Sequence, residues 1–363
     1  MTAPEAEPWP CVRAPLAWFG GVLATELEQV SDDVSELDRG GWWAVVLGFE
    51  GQVTLGRFGR VRPAPLPAAP WAGVPLEAWR SSLDRARYLA ACEDVRRRIA
   101  AGEVYQANVC RVLQAPLPAD ADLLGLAGLL AQGNPAPYAG YVRLGEDGAG
   151  VEVATASPEL FLSRAGDVVE SRPIKGTGRT EADLLDKDRA ENVMIVDLVR
   201  NELGRACRTG SVEVPELLAV EEHPGLVHLV STVRGRLADG VGWPELLAAT
   251  FPPGSVTGAP KSSALAALRA LEPVPRGPYC GAVGWVDADR GTARLAVGIR
   301  TFWREPGRLC LGTGAGITWG SDPAAEWDET ELKAARLLAV ASRRSGRGSG
   351  RAQRQHEHDE EQR

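Results

Sequence analysis

Along this chain the alternation of apolar and polar positions is strand-like first and helix-like later. The apolar run at 42–49 (WWAVVLGF) and the alternating stretch at 52–58 (QVTLGRF) predict two strands. Tyr88, Ala91, Val95 and Ile99 then recur at helical spacing, which predicts a helix capped by Ser81 or Ser82, running to about 101 and stopped by Gly102. Strand patterns return at 104–113, 138–144, 151–155, 160–164 and 167–170. A helix over roughly 183–207 follows, then strands near 212–214 and 228–236 and helices at 243–250 and 260–271. Strands at 279–287, 293–304 and 308–312 lead into a last helix at about 323–342. Many strands and few helices, without regular alternation, predict an α+β fold rather than a doubly wound sheet. The Pro/Ala-rich segment 62–75 reads as a linker or an extended crossing segment, and the charged, low-complexity end as disorder.

Composition narrows the function. A net charge of −8 over 363 residues argues against nucleic-acid or membrane-surface partners, which need a basic face. Six scattered cysteines without a C-x-x-C pair point to a reducing cytoplasm. The start, MTAPEAEPWP, has neither the basic nor the apolar part of a signal peptide, and no apolar stretch approaches a membrane span. Of four histidines, His356 and His358 lie in the tail, which excludes a histidine-rich metal centre.

Lysine usage is the first chemical signal. Only Lys175, Lys187, Lys261 and Lys333 are lysines among 40 basic residues. An ammonium can lose its proton and attack carbon, whereas a guanidinium practically cannot. Lys175, in RPIKGTGR, is thus either a solvated loop lysine or a nucleophile. His228, alternating with apolar residues in VHLVSTV, is a satisfied sheet histidine or an acid/base group. Asp188 and Glu191, and likewise Glu326 and Glu329, are spaced i, i+3 on predicted helices, so each pair shares a face. Four oxygen ligands suit a hard ion such as Mg²⁺; an ordinary Glu329–Lys333 salt bridge and helix-start acids explain the same spacing. Two glycine-rich stretches invite nucleotide readings that fail. GTGAG (312–316) lacks the dinucleotide spacing, and in PGSVTGAPKSS (253–263) Ala259 and Pro260 separate the glycine from Lys261. Both remain candidate anion-binding turns.

Ten ordered segments resemble the chorismate-utilising enzymes, within them component I of aminodeoxychorismate synthases. They include GEVYQANVCR (102–111), NPAPY (134–138), ASPELF (156–161), RPIKGTGR (172–179) and DRAENVMIVDLVRNELGR (188–205). HLVSTVRG (228–235), FPPGSVTGAPKSSAL (251–265), RGPYCGAVGW (276–285), GIRT (298–301) and GTGAGITWGSDPAAEWDETELKA (312–334) complete the set. The resemblance implies a large, mostly antiparallel β-sandwich flanked by helices. It implies an N-terminal β-rich region (1–78) packed into the same body, a chorismate-binding catalytic domain (79–342) and the tail (343–363). Glu191 and Glu329 match Mg²⁺ ligands, with Asp188 and Glu326 close behind. Tyr279 and Arg300 match residues that hold the enolpyruvyl carboxylate, and Thr257, Gly314, Ala315, Gly316 and Lys333 line the same cavity. Glu159 matches the general acid for the C4 hydroxyl, and His228 an active-site histidine.

Two positions divide the resembled branches. Gln106 stands where isochorismate and salicylate synthases carry a water-activating lysine, and Lys175 where anthranilate synthases usually have alanine. The implied reaction is amination of chorismate at C4 through a covalent Lys175 adduct at C2, toward p-aminobenzoate and folate. Anthranilate synthase component I is the first alternative, and an isochorismate or salicylate synthase the second. No cysteine lies in the G-x-C-x-G turn of a glutaminase, so ammonia is expected from a separate glutamine amidotransferase. RNE at 200–202 and Trp327 depart from the commoner RND and tyrosine.

Overall fold

A computed structural model of the chain describes residues 14–145, 150–178, 180–223 and 226–345. The N-terminal part supplies β1 (Leu16–Phe19), β2 (Val22–Ser31), β3 (Trp42–Leu47), β4 (Val53–Pro63) and the short β5 (Arg80–Ser81). Helix α1 (Arg85–Ala100), β6 (Gln106–Pro116), α2 (Leu123–Gly133) and β7 (Tyr138–Arg143) follow. Next come β8 (Glu152–Ser157), β9 (Leu160–Ala165), β10 (Val168–Arg172), β11 (Ile174–Gly178), α3 (Asp186–Gly204), β12 (Glu213–His223) and β13 (Leu226–Arg236). The chain ends with α4 (Trp243–Thr250), β14 (Gly258–Ala259), α5 (Lys261–Leu271), β15 (Ala282–Asp287), β16 (Thr292–Val297), β17 (Thr301–Glu305), β18 (Arg308–Ile317) and α6 (Pro323–Ala341).

All pairings are antiparallel, and they join into one ribbon. Its order is β12-β13-β10-β9-β16-β15-β3-β4-β2-β1-β7-β8-β17-β18-β6, with β11 beside β13 and both β5 and β14 beside β6. The N-terminal strands sit in the middle: β3 pairs with β15 on one side and β1 with β7 on the other. The ribbon curls, so the inner faces of its halves share one core. Cys110 and Val112 of β6 and Val153 of β8 pack in a cluster with Trp43 and Val45 of β3, Val283 of β15 and Val199 of α3. A second core gathers Leu123, Leu126 and Leu130 of α2 with Tyr141, Phe302 and Leu337, and a third puts α1 and α5 on β6. The α+β, antiparallel expectation holds. Among the described residues no helix is long and apolar enough to cross a membrane.

Several local expectations shift. The cap of α1 is Asp84, whose side chain accepts from the Arg87 amide at 2.8 Å, because the Ser82 hydroxyl is taken by the Val112 amide at 3.0 Å. The segment 62–75 is a crossing segment, with Trp71 and Val74 buried and Trp71 donating its indole N–H to Ala341. The predicted strand 293–304 is two strands, broken where Arg300 takes φ 51°. Helix α2 was not predicted. The tail beyond 345 lies outside the described residues.

The β3–β15 seam is tight. A methyl on Gly281 would come within 1.9 Å of the Leu47 carbonyl oxygen, a backbone atom held in the ladder. Gly281→Ala is therefore expected to lower stability by about 3 kcal/mol, read as a reduced urea midpoint; an unchanged midpoint would mean that the seam has slack.

Candidate active site

The site lies between the two ends of the ribbon. One end, β11 beside β13, carries Lys175 and His228; the other, β6 beside β18, carries Gln106 and residues 314–316. Helices α3 and α6 and the loop 251–260 bridge them.

Glu159, between β8 and β9, is buried. The Ile174 amide and the Ser255 hydroxyl donate to its carboxylate. The Ile174 bond sets the next residue, Lys175, against the same group. Burial pushes Glu159 up to about 7, with Ser255, Lys175 and Ile174 restraining the rise. Burial pushes Lys175 below the usual lysine range, against the pull of Glu191 and Glu159. Its amine makes no hydrogen bond or close ion pair among the described residues. Both shifts bring the groups toward neutral pH, where a carboxylic acid can give a proton and an amine can attack. The glycine after Lys175 has a packing reason. Gly176 takes φ 87°, and a methyl there would lie 2.9 Å from Asp188 Cβ, so the strand and the start of α3 can touch.

Helix α3 enters at Leu185, whose amide donates to Asp188 Oδ2 at 2.9 Å, and one turn later presents Glu191. It is fastened to the sheet through buried Asn192, which accepts from Ser231 at 2.5 Å and donates to Leu229 O at 3.2 Å. Burial raises Glu191, Lys175 lowers it, and Asp188 and Glu329 raise it further. Glu326, on α6, is raised by burial and by Glu329, with the Ser321 hydroxyl opposing. Glu329 meets Lys333 at 2.7 Å; burial would raise its carboxyl, but Lys333 holds it down. Lys333 also donates to Gly314 O at 3.1 Å.

The acids of α3 and α6 thus act on each other electrostatically. Among the described residues, however, no three His, Cys, Asp or Glu side chains are close enough to grip an ion as they stand. The donor set fits Mg²⁺ chemically: all oxygens, mutually repelling, and relieved by a divalent charge.

On the opposite wall Gln106 is fully buried, its Nε2 3.4 Å from Asn108 Oδ1 and its Oε1 without a partner. Gly316 makes room for it, since a methyl there would sit 2.3 Å from Gln106 Nε2. Buried Thr257 donates to Pro253 O at 2.8 Å and its carbonyl accepts from the Asn108 amide at 2.9 Å. The Tyr279 ring lies over Gly312, where a methyl would be 2.0 Å away. Arg300 follows the turn at Gly298, which is tied to Cys280 by a 3.0 Å amide–carbonyl bond. Its half-buried guanidinium has no hydrogen bond or ion pair among the described residues and faces only another cation, Arg336. An unpaired guanidinium, depressed by burial, is a ready anion site. His228 is buried in β13, in register with Thr177 and Glu221. Ala315 is buried in β18, so GTGAG is strand rather than a nucleotide turn.

Sequence reasoning did not single out Ser255 or Lys187 as site residues. Lys187 faces Glu191, Glu326 and Glu329 from the start of α3, and lysine rarity was its available signal. Nothing local marks Ser255.

Comparison with known proteins bears on this arrangement. The sequence model of the chorismate binding enzymes matches residues 52–339. The chain belongs to that family. Anthranilate synthase component 1 of Streptomyces coelicolor is 40% identical over 308 residues, covering 78% of this chain and 58% of the relative. Aminodeoxychorismate synthase component 1 of Salmonella typhimurium is 38% identical over 273 residues, covering 72% and 59%. The chain spans less than two thirds of either relative. The solved anthranilate synthase component I of Streptococcus pneumoniae has the same fold, with a TM-score of 0.73 at 23% identity over 93% of this chain and 95% of that one.

Glu159 makes a pH prediction. Its folded value of about 7 exceeds the ordinary 4.5, so the folded chain keeps a proton that the unfolded chain loses. Stability is therefore full below the unfolded value and is lost as pH rises through the folded one, by roughly 3 kcal/mol in total. Glu159→Gln should flatten that loss, and denaturant unfolding at acid and alkaline pH would show the variant gaining on the parent as pH rises. A constant difference would contradict the burial account.

Proposed function

We propose that this chorismate binding enzyme is component I of an aminodeoxychorismate synthase, converting chorismate and ammonia to 4-amino-4-deoxychorismate for p-aminobenzoate and folate. The supporting observation is the unpartnered, half-buried amine of Lys175 beside the buried acid Glu159. In this reading neutral Lys175 attacks C2, the two conjugated ring double bonds shift to C1=C6 and C4=C5, and the C4 hydroxyl leaves as water with the proton of Glu159. Ammonia then adds at C4, both double bonds shift back, and the lysine amine is released from C2. The unpaired Gln106 Oε1 gives incoming ammonia an acceptor and, lacking a basic nitrogen, does not activate water.

Arg300 and Tyr279 hold the enolpyruvyl carboxylate; Thr257, the backbone at 314–316 and Lys333 complete the cavity. His228 stands on the other wall, in β13 beside the strand that carries Lys175. Mg²⁺ would be held by Glu191 and Glu329, with Asp188 and Glu326 behind them, and would neutralise and orient the ring carboxylate. The relatives' names as components support a separate glutamine amidotransferase as ammonia source. The five described cysteines, all free and buried, suit a cytoplasmic enzyme. The second reading is anthranilate synthase component I, favoured by the 40% identity to a relative of that name.

Product identity decides between them. With chorismate, Mg²⁺ and excess ammonium salt near pH ~8.5, where more ammonia is free, aminodeoxychorismate is expected by chromatography with mass detection. Anthranilate would remove Lys175 from the mechanism, and isochorismate or salicylate would remove the Gln106 argument. Lys175→Ala should slow turnover on the order of 10³-fold; an intact rate would refute the covalent step.

A further inference from the structure

Residues 251–260 bring Ser255 and Thr257 into the site, and one ammonium ties the two ends of this loop together. Lys261, which opens α5, donates to the carbonyl of Thr250, which closes α4, at 2.8 Å. The same nitrogen lies 2.7 Å from Glu202 Oε1, near the end of α3. The carboxylate is buried, and the loop rests directly on it. A methyl on Gly254 would be 2.9 Å from Glu202 Oε1 and 2.5 Å from Leu198 Cδ2. Arg205 is the other charge near the pair, and it donates to Ala249 O at 2.8 Å. From this base the loop runs to Ser255, whose hydroxyl meets Glu159 and whose carbonyl accepts from Asn108 Nδ2 at 3.2 Å.

Neither Glu202 nor Lys261 touches the reacting groups, yet two desolvated charges are costly to keep without a purpose in the fold. A compact ammonium with three donors can serve a carbonyl and a carboxylate from one point, which explains a lysine in a chain that prefers arginine. The pair also disposes of a phosphate-loop role for Lys261, since its nitrogen is spoken for.

We propose that Glu202 and Lys261 are positioning residues: they lock the base of loop 251–260 so that Ser255 holds Glu159 in place as the general acid. This rests on the reading in which Glu159 protonates the C4 hydroxyl. The groups that face Glu159 are Ser255, Lys175 and the Ile174 amide, so freeing Ser255 removes one of the restraints on its proton.

The test compares Lys261→Met and the charge-keeping Lys261→Arg with the parent, by hydrogen–deuterium exchange and by chorismate consumption across pH. In Lys261→Met, exchange within 251–260 should rise about 10-fold, and kcat should fall about 10- to 100-fold with KM within about 3-fold. The pH limb set by Glu159 should move upward, and Lys261→Arg should recover part of the rate. A less stable Lys261→Met with the parent's kcat and pH limb would overturn the proposal, as would unchanged exchange in the loop. If the parent itself does not consume chorismate, the proposed function falls, and exchange alone decides whether the pair locks the loop. Should Lys261→Met fail to fold, Glu202→Gln takes its place with the same expectations.

Discussion

Because each strand from β12 to β6 bonds to its neighbours, the distance between the two ends of the ribbon is set by the whole ladder. The site needs both ends. Lys175 comes from one and Gln106 from the other, and no local element holds them together. A sheet bonded throughout resists the small displacements that reacting groups do not tolerate. Helices α3 and α6 then only have to lay their acids across a gap whose width is already settled.

Within that frame, burial does the chemical tuning. Glu159 and Lys175 are each driven toward the uncharged form by loss of water, and each restrains the other by its charge. The acids of α3 and α6 are treated differently. Glu329 is exposed enough to pair with Lys333, while Glu191 and Glu326 are raised by burial. The dry part of the cavity thus holds groups suited to proton transfer and attack, and its rim holds charges suited to a cation. Arg300 is strained at positive φ and has no hydrogen bond or ion pair among the described residues.

Much of this was legible in the residues. Amphipathic spacing found α1, α3, α4, α5 and α6, and lysine rarity found Lys175. Helix α2 escaped because LLGLAGLL is apolar on every side, which erases the period that marks a surface helix. Strand β12 ran well past 212–214 because its second half, VEEH, carries acids that read as loop. The break at Arg300 was written only as a preceding Gly298. Long-range meetings, such as Ser255 with Glu159 or Lys187 with the acids of α6, arise from the fold and leave no trace in local sequence.

The central place of β1–β4 bears on how the chain comes to be folded at all. These strands are made well before their outer partners, β7 and β15. Until then the hairpins have open edges on both sides, the condition under which strands find wrong neighbours. Such distant pairing also makes folding slow. Much of this keystone lies ahead of residue 52, where the family's sequence pattern begins. Backbone hydrogen bonds hold it in place together with the buried side chains of Trp43, Val45 and Leu55. Whatever freedom the keystone has to vary therefore lies at its outward positions, such as Val30 and Val61, and not at the inward ones.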